Sequence, residues 1–173
     1  MTIIANGDMR RGKRAVHDAE AIRGIVERCR TLRLGLSDEH GVFVVPLSFG
    51  YDWQQAPSSG EPFALTLWVH CAGEGRKLDA LSVPGARVAV EMDAELGVIE
   101  GDFSCAYSLA YESIMGTASA RRALSADEKL HGLARIMEHM APGAPVAFSA
   151  DAVRGTELFA LDVIELSAKR RSG

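Results

Sequence analysis

Hydrophobic and polar positions along this chain change period several times, and each change marks an element. Ile22, Ile25, Val26 and Cys29 recur at i, i+3, i+4 and i+7 behind Asp18, an N-cap type, so residues 18–30 read as an amphipathic helix. From Thr31 the period becomes two. Leu32, Leu34 and Leu36 alternate with Arg33, Gly35 and Ser37, the turn chemistry of residues 37–41 follows, and residues 42–51 return as a second strand of a hairpin. A Pro-, Ser- and Gly-rich loop over 54–62 leads to a third strand, in which Phe63, Leu65, Leu67 and Val69 alternate with Ala64, Thr66, Trp68 and His70.

Gly73-Glu74-Gly75 ends that strand, and a short helix spans 76–83 before Pro84-Gly85 stops it. Residues 87–93 predict a strand, 94–103 a loop, and 104–122 a long strand with a bend expected at Gly116. Ser125 and Glu128 form the S-x-x-E signature of a helix start, with Leu130, Leu133, Met137 and Met140 expected on its apolar face until Ala141-Pro142-Gly143. A one-turn helix is expected at Ser149, a closing strand over 157–166, and a basic tail at Lys169-Arg170-Arg171. About six strands with peripheral helices and no βαβ repeat predict a mainly β protein, a β-barrel, in one domain over residues 1–173.

Composition narrows the function classes. The 173 residues are 47% hydrophobic and 24% charged, ordinary globular values, and the net charge of -4 argues against a nucleic-acid partner. No segment approaches the roughly 20 apolar residues of a membrane span. Arg10, Arg11, Lys13 and Arg14 are followed by polar sequence rather than the apolar run of a twin-arginine signal. Cys29, Cys71 and Cys105 are odd in number and form no C-x-x-C pair, which suits a reducing compartment, so a cytoplasmic protein is expected.

Three segments carry candidate chemistry. Over residues 45–51 one face holds Val45, Leu47, Phe49 and Tyr51, whereas the other holds only Pro46, Ser48 and Gly50. That bare face suits either a flat ligand on the main chain or an edge strand ending in a bulge. In His70-Cys71-Ala72-Gly73-Glu74-Gly75-Arg76-Lys77, two cations open a helix, where they oppose its dipole unless an anion sits there; the competing reading has Glu74 and Asp79 neutralise them. His70 has the side chain for acid–base work or for a structural hydrogen bond, and Cys71 reads as a small buried residue. His131 and His139 lie eight apart on one helix with no completing ligand pattern, so a solvated or capping role is expected. Finally, Tyr107, Leu109, Tyr111 and Ser113 share one side of a strand, as an interface, a pocket wall or a half-exposed sheet requires.

These segments resemble, in order, those of the flavin-nucleotide-binding proteins related to pyridoxamine 5'-phosphate oxidase, specifically the nitroimidazole-resistance (Nim) group. The matching stretches are residues 29–35, 45–51, 70–81 and 111–116, within a likeness running from about residue 9 to Lys169. The resemblance implies a split β-barrel that dimerises, with FMN in two clefts between subunits. It further implies that Arg76 and Lys77 hold the FMN phosphate beside the turn of His70, Cys71, Ala72 and Gly75, and that the backbone from Pro46 through Leu47 and Ser48 to Phe49 faces the ring system. Tyr111 and Ser113 would come from the other subunit, with His70 the candidate catalytic residue. Three positions depart from the family pattern: Cys71, where a glycine is common, Gly73, where a lysine is common, and Glu112, where a basic residue is usual. The implied activity is an FMN-dependent oxidoreductase acting on a small oxidant such as a nitroaromatic or quinone; the alternative is a non-catalytic binding protein for FMN, haem or a related cofactor.

Overall fold

The structure is a computed structural model, and it describes residues 2–4, 9–55 and 63–173; most of the loop expected over 54–62 therefore lies outside the described residues. The element order is β1 (Ile3–Ile4), α1 (Ala19–Arg28), β2 (Leu32–Asp38), β3 (Gly41–Leu47), β4 (Gly50–Gln54), β5 (Ala64–Cys71), α2 (Arg76–Leu81), β6 (Arg87–Ile99), β7 (Ser108–Arg122), α3 (Ala126–Met140), α4 (Ala150–Gly155) and β8 (Glu157–Arg171), with 3-10 turns at Gly12–Arg14 and Ser104–Ala106. One eight-stranded sheet runs β3-β2-β6-β7-β8-β5-β4, and β1 joins β8 in parallel.

The connectivity explains the architecture. Strands β3 and β4 are the two edges of the path, yet only Ser48 and Phe49 separate them in the chain. Three virtual bonds of 3.8 Å cover at most roughly 11 Å, so the sheet must curl until its edges lie side by side. They do not pair, and the result is a split barrel. This also corrects the expectation of one strand over 42–51: the chain crosses the split at Ser48–Phe49, where the Phe49 ring turns fully into the core.

Inside the barrel Leu32, Leu34, Val88, Val90, Met92, Ile114, Leu161 and Leu166 are buried, and Ile22, Ile25 and Val26 of α1 pack into the same core. Burying each such side chain contributes roughly 1.5–3 kcal/mol. Asp18 caps α1 by accepting the Ala21 N–H at 2.8 Å, and Ser125 caps α3 by accepting that of Glu128 at 3.1 Å.

Three further expectations are revised. The segment 94–103 is largely strand, because β6 pairs with β7 through Ile99↔Ser108 and absorbs its irregularity in a bulge between Glu95 and Gly97. Likewise the basic tail is part of β8, which pairs Tyr111, Glu112 and Ser113 of β7 with Arg171, Arg170 and Lys169. The buried face of α3 is Gly132, Leu133, Ile136 and His139, whereas Leu130 is exposed. Close approach decides that rotation: a Cβ on Gly50 would stand 2.3 Å from the Arg135 carbonyl carbon, and one on Gly132 2.5 Å from the Trp68 ring. The helix lies backbone-on-backbone over β4, so Gly50 is covered by α3 and leaves the bare face to Pro46 and Ser48.

Candidate functional site

The outer face of the sheet beside the split is open. Val42, Val44 and Pro46 of β3 and Ser48 just beyond it are all exposed, and Val42 retains 87% and Val44 65% of their accessible surface. Pro46 pairs with Arg33 on one side only, so the strand presents bare main chain at its edge. Leu47 is half-buried toward the core.

At the end of β5 the chain leaves the sheet through an exposed turn, Ala72 to Gly75, with Cys71 buried beneath it. Gly75 has a φ of 107°, which only glycine adopts without strain, and no atom lies within 4 Å of a Cβ built there or on Gly73. The turn is therefore open to solvent on both glycines. The six-residue α2 begins with Arg76 and Lys77, as the sequence requires, but is too short for its dipole to matter; the cations themselves are what the turn offers.

Their partners were not expected. Neither Glu74 nor Asp79 neutralises Arg76. Instead Asp38, at the tip of the β2–β3 hairpin, accepts from Arg76 Nε at 2.5 Å and Nη2 at 2.7 Å, Gly41 O accepts from Nη2 at 3.2 Å, and the guanidinium carbon sits 4.0 Å from the Phe43 ring centroid. The Arg76 hydrogen bonds hold the Asp38 carboxyl down to about 2. Arg76 is thus clamped by one edge of its fork, leaving Nη1 with no partner among the described residues. No sequence signal pairs Asp38 with Arg76, since only the curl of the sheet brings the hairpin tip to α2. Lys77 Nζ donates to the His70 carbonyl at 3.3 Å. His70 itself is exposed, and its imidazole is pushed below the ordinary range by partial desolvation of the ring and by the Lys77 ammonium.

Tyr111 and Ser113 lie elsewhere. Both are on the outer face of β7, with Ser113 level with Asp93 and Lys169, and Tyr111 level with Glu95 and Arg171. Gly35 is level with Ala89 and hence with Thr117, and Asp38 lies beyond Gly35 at the far end of β2. From the Ser113 row to the Asp38–Arg76 clamp the chain therefore runs some seven residues, about 23 Å at 3.3 Å per residue. One chain brings His70, the glycine turn, Arg76 and Lys77 together beside the open edge, and holds Tyr111 and Ser113 at the opposite end. Glu112, between them, points inward and is 3% exposed. Arg28 Nε donates to it at 2.6 Å and Arg170 Nε donates to its other oxygen. Burial pushes this carboxyl up, but the two arginines outweigh it and the net shift is downward.

The helical histidines divide. His131 is exposed and pairs with Asp52 at 2.7 Å. His139, expected to be solvated or capping, is instead buried: Nε2 donates to the Cys29 carbonyl at 2.9 Å, its ring meets Phe49 edge-on with centroids 4.4 Å apart, and Nδ1 has no partner among the described residues. Among the described residues no group of three or more His, Cys, Asp and Glu side chains could hold a metal ion, and no helix is long and apolar enough to cross a membrane.

A curled, unclosed sheet whose split adjoins a cationic strand-to-helix turn defines a split-barrel protein. The chain belongs to the pyridoxamine 5'-phosphate oxidase family, whose model matches residues 18–170. Among solved structures it is similar to a candidate 5-nitroimidazole antibiotic resistance protein from Bacteroides thetaiotaomicron, with 26% identity over 90% of this chain and 85% of that one and a TM-score of 0.72. It is also similar in fold to the flavocytochrome Anf3 of Azotobacter vinelandii (18% identity, 98% and 77% of the two chains, TM-score 0.74) and to an FAD and haem binding protein of Mycobacterium smegmatis (20% identity, 92% and 74%, TM-score 0.75). No curated protein matches the sequence.

Proposed function

We propose that this protein is an FMN-binding oxidoreductase that works as a homodimer and reduces a small oxidant such as a nitroaromatic or quinone. The observation that carries the reading is the cluster at one end of the barrel, where Arg76 clamped by Asp38, Lys77 and the solvent-open glycine turn gather, while Tyr111 and Ser113 of the same chain lie some seven residues away along the sheet. In an isologous dimer the second copy would bring its own Tyr111 and Ser113 to that cluster.

The residues present fit a flavin nucleotide. Arg76 Nη1 and Lys77 Nζ are donors of the right sign for a phosphate, and the empty space over Gly73 and Gly75 admits it next to the main chain. The exposed edge at Pro46 and Ser48, with the main chain of Leu47 and Phe49, would meet the flat ring system, Cys71 and Ala72 would underlie the ribityl end, and Tyr111 and Ser113 would close the cleft from the second copy. When bound, the flavin supplies reversible two-electron chemistry. The protein's part is position and proton handling: His70, neutral at pH 7 because its pKa lies below the ordinary range, accepts a proton at a ring nitrogen or orients the oxidant. The family membership supports this reading, as do the names of the similar structures, which include FAD-, haem- and flavocytochrome-type proteins.

The test is the absorbance spectrum of the purified protein, followed by anaerobic addition of a reduced nicotinamide nucleotide. A flavin spectrum that bleaches, and then recovers on adding a nitroaromatic, is expected. A bound flavin that never bleaches makes the protein a carrier, a haem spectrum replaces the cofactor, and a colourless protein that takes up no added FMN ends the proposal. His70→Ala is expected to retain FMN while turnover falls.

A further inference from the structure

From the register of β7 and β8, and resting on the two-copy reading above, we propose that Lys169 of the partner subunit is the third cation of the cofactor's phosphate site and sets its preference for a phosphorylated flavin. Ser113 and Lys169 are directly opposed in an antiparallel pair, so their side chains leave the same outer face with Cβ atoms about 5 Å apart. Whatever brings Ser113 to the partner's glycine turn brings Lys169 with it.

The neighbouring cations are committed elsewhere. Arg170 points inward to Glu112, and Arg171 Nη1 donates to Ser108 Oγ. The Lys169 ammonium has no ion pair or hydrogen bond among the described residues, although its main chain is pinned, by Ser113 on one side and by a bridge to Ala15 on the other. A rigid base carrying a free cation is the arrangement a recognition residue needs.

The turn across the cleft needs it. A flavin phosphate carries close to two negative charges, Gly73 offers no cation, and Asp38 already takes the Nε–Nη2 edge of Arg76. Lys77 and the remaining Nη1 of Arg76 together fall short of neutralising the ligand while Asp38 stays ionised, as its depressed pKa ensures. A lysine arriving from the other copy closes the difference. It also makes phosphate recognition dependent on dimerisation, since neither copy alone holds all the charge.

FMN and riboflavin titrations of wild type, Lys169→Gln and Lys169→Arg test this, with circular dichroism confirming that each variant is folded. The Gln variant should lose about tenfold in FMN affinity with riboflavin unchanged, and the Arg variant should restore it. Mixed dimers of Lys169→Gln with Arg76→Ala/Lys77→Ala then separate cis from trans action: half of the sites should regain wild-type affinity, because one site of each mixed dimer inherits every cation. FMN affinity of Lys169→Gln within twofold of wild type, an equal loss of riboflavin, or mixed dimers with no recovered sites would each overturn the inference while leaving the flavin reading intact. Wild type that binds no flavin would instead bring down the reading on which it rests.

Discussion

At the scale of single residues, the informative feature is a cation that, on the proposed reading, would serve two anions, Asp38 and the cofactor phosphate. Arg76 is held by Asp38 and lies against Phe43 before any ligand arrives, so its guanidinium is oriented in advance and only part of its donor set remains. Replacing Arg76 and Lys77 together with Ala should reduce FMN affinity about tenfold or more and leave riboflavin affinity nearly unchanged, as titration by flavin fluorescence would show. Thermal stability should scarcely move, because the Arg76–Asp38 pair sits at the surface, where such pairs contribute little. A tenfold loss for riboflavin as well would mean that these side chains shape the turn rather than meet a phosphate.

At the scale of elements, α3 is held by a close backbone approach and a buried histidine. Gly50→Ala would force a Cβ into the Arg135 main chain, and overpacking of that kind costs on the order of 1 to 3 kcal/mol, which differential scanning calorimetry would register as a lower Tm. His139 makes the same contact pH-dependent. Burial holds its pKa below the unfolded value near 6.5, so the unfolded chain binds the extra proton more readily. Its contribution is therefore complete above about pH 6.5 and is lost as pH falls toward the folded value. His139→Gln keeps a donor for the Cys29 carbonyl but cannot titrate, so the decline in Tm between pH 7 and 5 should be shallower than in wild type. Glu112, whose folded pKa is depressed, acts in a lower window: its contribution is present above the unfolded value near 4.5 and fades below it.

For the whole molecule, the split barrel leaves an outer face on which Val42, Val44 and Met115 are exposed, 48% in the case of Met115. Exposed apolar side chains on a sheet with a free edge call for a cover, and on the proposed two-copy reading a second copy would supply it along with the other wall of the cleft. Light scattering should give twice the chain mass of 18.6 kDa. Val44→Lys should yield a folded monomer that has lost FMN, whereas a stable wild-type monomer at micromolar concentration would remove the two-copy site and everything built on it.

Local chemistry was legible in the chain itself. The period-two runs of β2 and β5, the caps at Asp18 and Ser125, and the glycine turn before Arg76 and Lys77 are written in neighbouring residues, and the order of the segments was enough to point to the family. The tertiary structure decided what depends on distant partners. Glycine and the acidic residues made 94–103 look like a loop, but a paired β7 holds it as strand; Met137 matched the helical period, but Gly50 and Gly132 rotated α3 so that His139 is buried instead. Asp38 found Arg76, Glu112 found Arg28 and Arg170, and Lys169 came to stand beside Ser113, because the sheet curls and its long strands align in register. Such contacts join residues far apart in the chain, 84 positions for Arg28 and Glu112 and 110 for Cys29 and His139, and no local pattern encodes them.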